Sequence, residues 1–140
     1  MAGLSPLGFE NYRDYLRQLY LLNKSNKSPY SYRHFAKDLG FNPSNYFHLV
    51  INGTRDLSVK SLETLLSHTE WSSPEKNYFK VLVEFNHSDD AKTQKILQNK
   101  LAKILGKNRT LVKSDEEHYF SRWYIPILRE LNLQLFKVTN

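Results

Sequence analysis

The chain has 140 residues, with 40% hydrophobic and 24% charged side chains and 20 Lys and Arg against 14 Asp and Glu, a net charge of +6. That is one domain's worth or slightly more, of a composition that folds rather than staying disordered. Zero cysteines exclude disulfide scaffolds, thiolate metal sites and cysteine nucleophiles; no apolar run approaches the roughly 20 residues of a membrane span, and neither GxGxxG nor GxxxxGK(S/T) occurs.

Nearly every segment reads as helix. Phe9, Tyr12, Leu16, Leu19 and Tyr20 recur at three- and four-residue steps, lining one face of a first helix. The polar stretch Lys24–Pro29 reads as a loop. Ser31 then caps a short helix with Phe35, Ala36 and Leu39 inside and Gly40 as its stop. Asn42 and Pro43 form an N-cap and first-turn pair, predicting a third helix over about 43–52. In it Tyr46, Leu49 and Val50 face inward and Phe47 outward, with Asn52–Gly53 closing it.

Ser58 caps a fourth helix carrying Val59, Leu62, Leu65 and Leu66. Ser72 and Glu75 hold capping-box spacing for a fifth, with Tyr78, Phe79, Leu82 and Val83 as its stripe. Ser88–Asp90 opens a sixth that runs to Gly106. A second box, Ser114 and Glu117, introduces Phe120, Trp123, Tyr124, Ile127, Leu128 and Leu131, with Pro126 as a kink. Leu133–Val138 reads equally as a helix end or a short strand. The expected class is all-α, with residues 1–70 as one domain and 71–140 as a helical extension.

The informative stretch is Ser31 to Leu66, where a short helix, a glycine turn and a second short helix follow closely, the spacing of a helix-turn-helix. Ala36 is small enough for the two helices to approach. Ser44, Asn45, Phe47 and His48 point outward, and Asn suits adenine's paired donor and acceptor. Arg33, Arg55 and the Ser31 hydroxyl are placed for phosphates. Plain α-hairpins share this spacing, so on spacing alone DNA binding and simple packing stand level.

The run Phe35-Ala36-Lys37-Asp38-Leu39-Gly40 through Asn52-Gly53-Thr54-Arg55-Asp56-Leu57-Ser58 resembles the lambda-repressor-like (XRE-type) helix-turn-helix. The interval between Gly40 and Asn52 is a residue longer than the family pattern. More closely, Phe9–Leu16, Asn77–Asn86 and Tyr119–Leu131 resemble an uncharacterised bacterial family that joins such a motif to a helical region. Its members are regarded as transcriptional regulators and continue into a second domain, which this chain is expected to lack. The resemblance implies a lambda-repressor-like bundle with a C-terminal helical extension, binding double-stranded DNA as a homodimer in the cytoplasm, at the nucleoid. Asn42, Ser44, Asn45 and His48 would then approach bases, with Arg33, Asn52, Thr54 and Arg55 on the backbone.

Charge distribution qualifies this picture. Residues 1–70 hold 8 basic and 6 acidic side chains, while residues 71–140 hold 12 and 8. The surplus gathers around Lys92, Lys95, Lys103 and Lys107, which share a helical face and offer secondary phosphate contacts or a merely solvated surface. The competing expectation is a module that has lost DNA binding and engages another regulatory protein through Tyr46, Phe47 and the last helix, where Trp123 and Tyr124 are interface candidates. The five histidines (34, 48, 68, 87 and 118) show no ligand spacing, so no metal or other cofactor is expected. Asp89–Asp90 and Asp115–Glu117 open helices and read as dipole partners rather than catalytic pairs, and no enzyme constellation is present.

Overall fold

The structure, a computed structural model, describes residues 3–108. The predicted helix after Ser114, with Trp123 and Tyr124, lies outside them. Among the described residues six helices follow in order: α1 Tyr12–Asn26, α2 Tyr32–Asp38, α3 Tyr46–Ile51, α4 Val59–Ser67, α5 Ser73–His87 and α6 Ala91–Lys107. No strand occurs among the described residues, so the described fold is all-α. None of these helices is long and apolar enough to cross a membrane.

The chain divides into two compact units. One takes Arg13–Trp71, with most of α1 and all of α2, α3 and α4; the other takes Ser5–Tyr12 and, among the described residues, those from Ser72 to Asn108, with α5 and α6. In the first unit, α2 packs against α3 around an aromatic chain. Phe35 meets Tyr20 and Phe47 edge-on, each at 5.5 Å, and Phe47 meets Phe41 edge-on at 4.9 Å. Edge-to-face geometry sets the positive rim of one ring on the negative face of the next. Ala36, fully buried, supplies the small side chain expected at the α2–α3 contact.

Two glycines close α2 and α3 in the same way. After α2, the Gly40 N–H donates to the Lys37 carbonyl (3.0 Å) and the Phe41 N–H to that of Ala36 (2.9 Å). After α3, the Gly53 N–H donates to Val50 (3.1 Å) and the Thr54 N–H to Leu49 (2.9 Å). Both are Schellman closures, which need a left-handed residue after the cap. Gly40 and Gly53 supply it with φ of +90 and +86.

Three expectations need correction. The first helix begins at Tyr12, with Phe9 ahead of it, and runs three residues into the predicted loop, to Asn26, leaving Lys27–Pro29 non-helical as expected. Asn42 is not a helix cap, nor Pro43 a first-turn residue, because α3 begins only at Tyr46. Phe41 is committed to the Gly40 closure and to Phe47, and the Ser44 hydroxyl accepts the Tyr46 N–H at 3.3 Å, so the helix starts three residues late. The inward stripe is Phe47, Val50 and Ile51, one residue on from the expected one, and Phe47 is 0% exposed.

In the second unit, α5 packs on α6, burying Tyr78, Phe79 and Leu82 on one and Leu97, Leu101 and Leu105 on the other. Residues 9–12 are fastened to α5. The Tyr78 hydroxyl donates to the Phe9 carbonyl (2.9 Å), while the Asn86 amide takes the Tyr12 N–H (2.8 Å) and donates to Glu10 (3.0 Å). The predicted Ser72–Glu75 capping box is present, and Asp90 caps α6 by accepting the Thr93 N–H at 2.9 Å. Hydrogen bonds from the Thr93 hydroxyl and N–H hold the Asp90 carboxyl below the usual range. The stabilisation they give is therefore complete above the ordinary carboxylate range and is lost as acidification passes the lowered value.

The two closing glycines are not equivalent. A Cβ on Gly40 would strike the His68 ring, whereas one on Gly53 meets open space. Gly53→Ala should cost about 1 kcal/mol for the left-handed backbone alone. Gly40→Ala must also turn the exposed His68 ring aside and lose its contact with the Thr64 carbonyl, adding about 1 kcal/mol. Urea unfolding of the two variants should rank them in that order; equal losses would contradict the account.

Candidate nucleic-acid interface

With Phe47, Val50 and Ile51 turned inward, the outer side of α3 carries exposed His48 and half-buried Leu49 between two exposed asparagine caps. Asn45, His48 and Asn52 are exposed at steps of three and four residues and so share one helical face. Thr54 and Arg55 follow, exposed, beyond the Gly53 turn, and Arg33 is exposed on α2. Of the eight residues expected at the DNA interface, these six are exposed on α2, on α3 and in the turn after α3. Asn42 and Ser44 sit instead in the irregular approach to α3, Asn42 exposed and Ser44 half-buried with its hydroxyl engaged by Tyr46.

Several of these side chains have internal partners. Asn52 Oδ1 accepts from both the N–H (3.1 Å) and the hydroxyl (2.7 Å) of Thr54, an Asx turn that rigidifies the loop. That leaves the Asn52 amide nitrogen as its outward donor. The Arg55 guanidinium lies 5.2 Å over the Tyr46 ring. The His48 ring lies 4.7 Å from Tyr32, which is itself stacked on Tyr20 at 3.9 Å. Burial raises the Tyr32 phenol above its usual pKa, with the neighbouring Tyr20 adding to the shift. The Ser31 hydroxyl, expected near phosphates, accepts the His34 N–H as the α2 cap while His34 Nδ1 takes the Ser31 N–H.

One aromatic expectation changes: Phe47 is core and cannot be an interface residue. Tyr30 is also buried and donates its hydroxyl to Asp38 at 2.6 Å. Burial, then that hydrogen bond to a carboxylate, drives its pKa well above the usual phenol value.

The acids near the face are already neutralised. Between residues 31 and 58 the carboxylates are Asp38 and Asp56. Asp38 is held by Tyr30 and by Lys27 at 3.6 Å, and Asp56 by Arg13 at 2.7 Å. Arg33, Lys37 and Arg55 have no carboxylate partner among the described residues.

What fixes the face lies on α1. Arg13 on α1 donates to the Val50 carbonyl (2.6 Å), the Arg55 carbonyl (2.9 Å) and Asp56 (2.7 Å), and Arg17 reaches the Ile51 carbonyl (3.3 Å). Helix ends leave their last carbonyls without intrahelical donors and carry partial negative charge, so two cations here satisfy and neutralise the end of α3. Two arginines four apart on α1 were the available signal, but their target lies 34–43 residues away in sequence.

Comparison of the chain with known families, with curated proteins and with solved structures gives no match at any of the three levels. The reading therefore rests on the residues themselves.

The Arg13 side chain is 22% exposed and that of Asp56 72%, so the carbonyl bonds outweigh the ion pair. Arg13→Gln should cost about 2–3 kcal/mol through lost charged hydrogen bonds, while Asp56→Asn should cost less than about 1 kcal/mol. Thermal unfolding checks the order; an Asp56 variant as damaging as the Arg13 variant would contradict it.

Proposed function

We propose that this chain is a sequence-specific double-stranded-DNA-binding protein acting in transcriptional control, with α2 and α3 as a lambda-repressor-like helix-turn-helix. The face of α3 supplies base contacts from Asn45 and His48, Asn52 reaches the groove edge, and Arg33 and Arg55 meet phosphates. A lone half-site rarely carries enough affinity, so the protein acts as a homodimer on a pseudo-palindromic site.

One observation carries this reading over its rival. A protein-docking module would use Tyr46, Phe47 and the last helix; that helix lies outside the described residues, and of the other two Phe47 is wholly buried and Tyr46 is half-buried beneath the Arg55 guanidinium. Protein hot spots centre on apolar or aromatic anchors. What α3 and its caps offer instead is two amides, an imidazole, half-buried Leu49 and, past the turn, a guanidinium, with nearby carboxylates paired internally. These groups suit a surface of phosphates and base edges.

Titration with duplexes selected from a random library, repeated across salt concentrations, tests it. Affinity should fall steeply as salt rises. Asn45→Ala should relax preference at one base position at a cost of about 1–3 kcal/mol on the preferred site, whereas Arg55→Ala should weaken all sequences alike. No selected sequence, or affinity indifferent to salt, overturns the reading.

A further inference from the structure

We infer that α6 carries a second, sequence-independent binding surface for the phosphate backbone of double-stranded nucleic acid. The helix Ala91–Lys107 contains Lys92, Lys95, Lys100, Lys103 and Lys107 and no acidic residue. All five are exposed, and none has an ion-pair partner among the described residues. At roughly 100° per residue they fall within an arc of about 140°, and that arc lies opposite the buried Leu97, Leu101 and Leu105. The other residues within it are Ile96, Asn99 and Gly106, all exposed.

An ordinary solvated helix mixes signs, because facing carboxylates and ammonium groups support one another at i,i+4. Five like charges on one face repel, and within α6 nothing offsets them. A polyanion does. From Lys92 to Lys107 the strip runs about 22 Å, close to six base pairs of axial rise, over which a duplex presents about 13 phosphates, more than enough to meet five lysines. Lysine acts as a mobile point charge, suited to non-specific phosphate contact rather than base reading.

Alternative occupants fit less well. A membrane-surface helix sinks its apolar face among lipid tails, but here that face is committed to α5. An acidic protein would need an apolar centre, and the arc offers only Ile96, at 52% exposure. The surface goes beyond the proposed role of α3 and stands even if α3 reads no sequence.

The test uses the full chain and a short duplex of arbitrary sequence, with the slope of log affinity against log salt as readout. Lys92→Gln, Lys103→Gln and Lys107→Gln are combined, since glutamine preserves helix propensity and the sites are exposed; an unchanged melting curve verifies the fold. The slope should shrink by about 2 to 3, near 0.9 per lost phosphate contact, with any sequence preference retained. An unchanged slope overturns the inference, whether or not Asn45→Ala still relaxes specificity. A reduced slope in a protein without sequence preference upholds it while removing the role proposed for α3. Binding to anionic phosphatidylserine vesicles without binding to duplex, or a loss on Ile96→Ala as large as that of the triple variant, also overturns it.

Discussion

The carbonyl end of α3 is the constraint on which the candidate interface depends. A six-residue helix is far too short to be stable alone, so tertiary contacts must hold it. Arg13 and Arg17 supply donors to three of the carbonyls at its end and in the turn that follows, and the Gly53 closure returns the chain at once. Because Arg13 grips both Val50 and Arg55, the helix end and the loop beyond it move as one piece. The relative placement of Asn45, His48, Asn52 and Arg55 is thereby fixed before any ligand arrives, which lowers the ordering cost of binding.

Packing then decides the chemistry of the outer face. Burying Phe47 between Phe35 and Phe41 takes the largest apolar ring of α3 off the surface and leaves half-buried Tyr46 and Leu49 beside His48. It also turns Tyr46 to the flank, where its ring supports Arg55. Tyr32 plays a matching part for His48, being stacked on Tyr20 and so unable to swing freely. The polar groups on this face are few, but they are backed by rings in contact with the core.

Local chemistry was legible in the sequence, and long-range chemistry was not. Ser31, Ser58, Ser72 and Asp90 cap the helices they were expected to cap, and Gly40 and Gly53 end theirs, because each signal acts within four residues. Asn42–Pro43 is an equally good local start signal, yet it lost to the demands of Phe41 and Ser44. That three-residue delay, with the inward stripe displaced by one position, is why Phe47 was expected outside. Of the expected interface residues, those governed by exposure alone (Arg33, Asn45, His48, Arg55) lie on the surface as anticipated. Asn52 and Thr54, expected on the DNA backbone, are exposed as well but also bond each other, and Arg13 was missed because its partners are distant in sequence.

The central claim is that the outer face of α3 enters a groove of DNA, and backbone amide shift mapping in solution tests it most directly. Adding a duplex should perturb residues 44–55 and the first turn of α2 while leaving the amides of buried Leu65, Phe79 and Leu82 in place. Perturbations that spare 44–55 altogether, with the duplex demonstrably bound, would contradict the account.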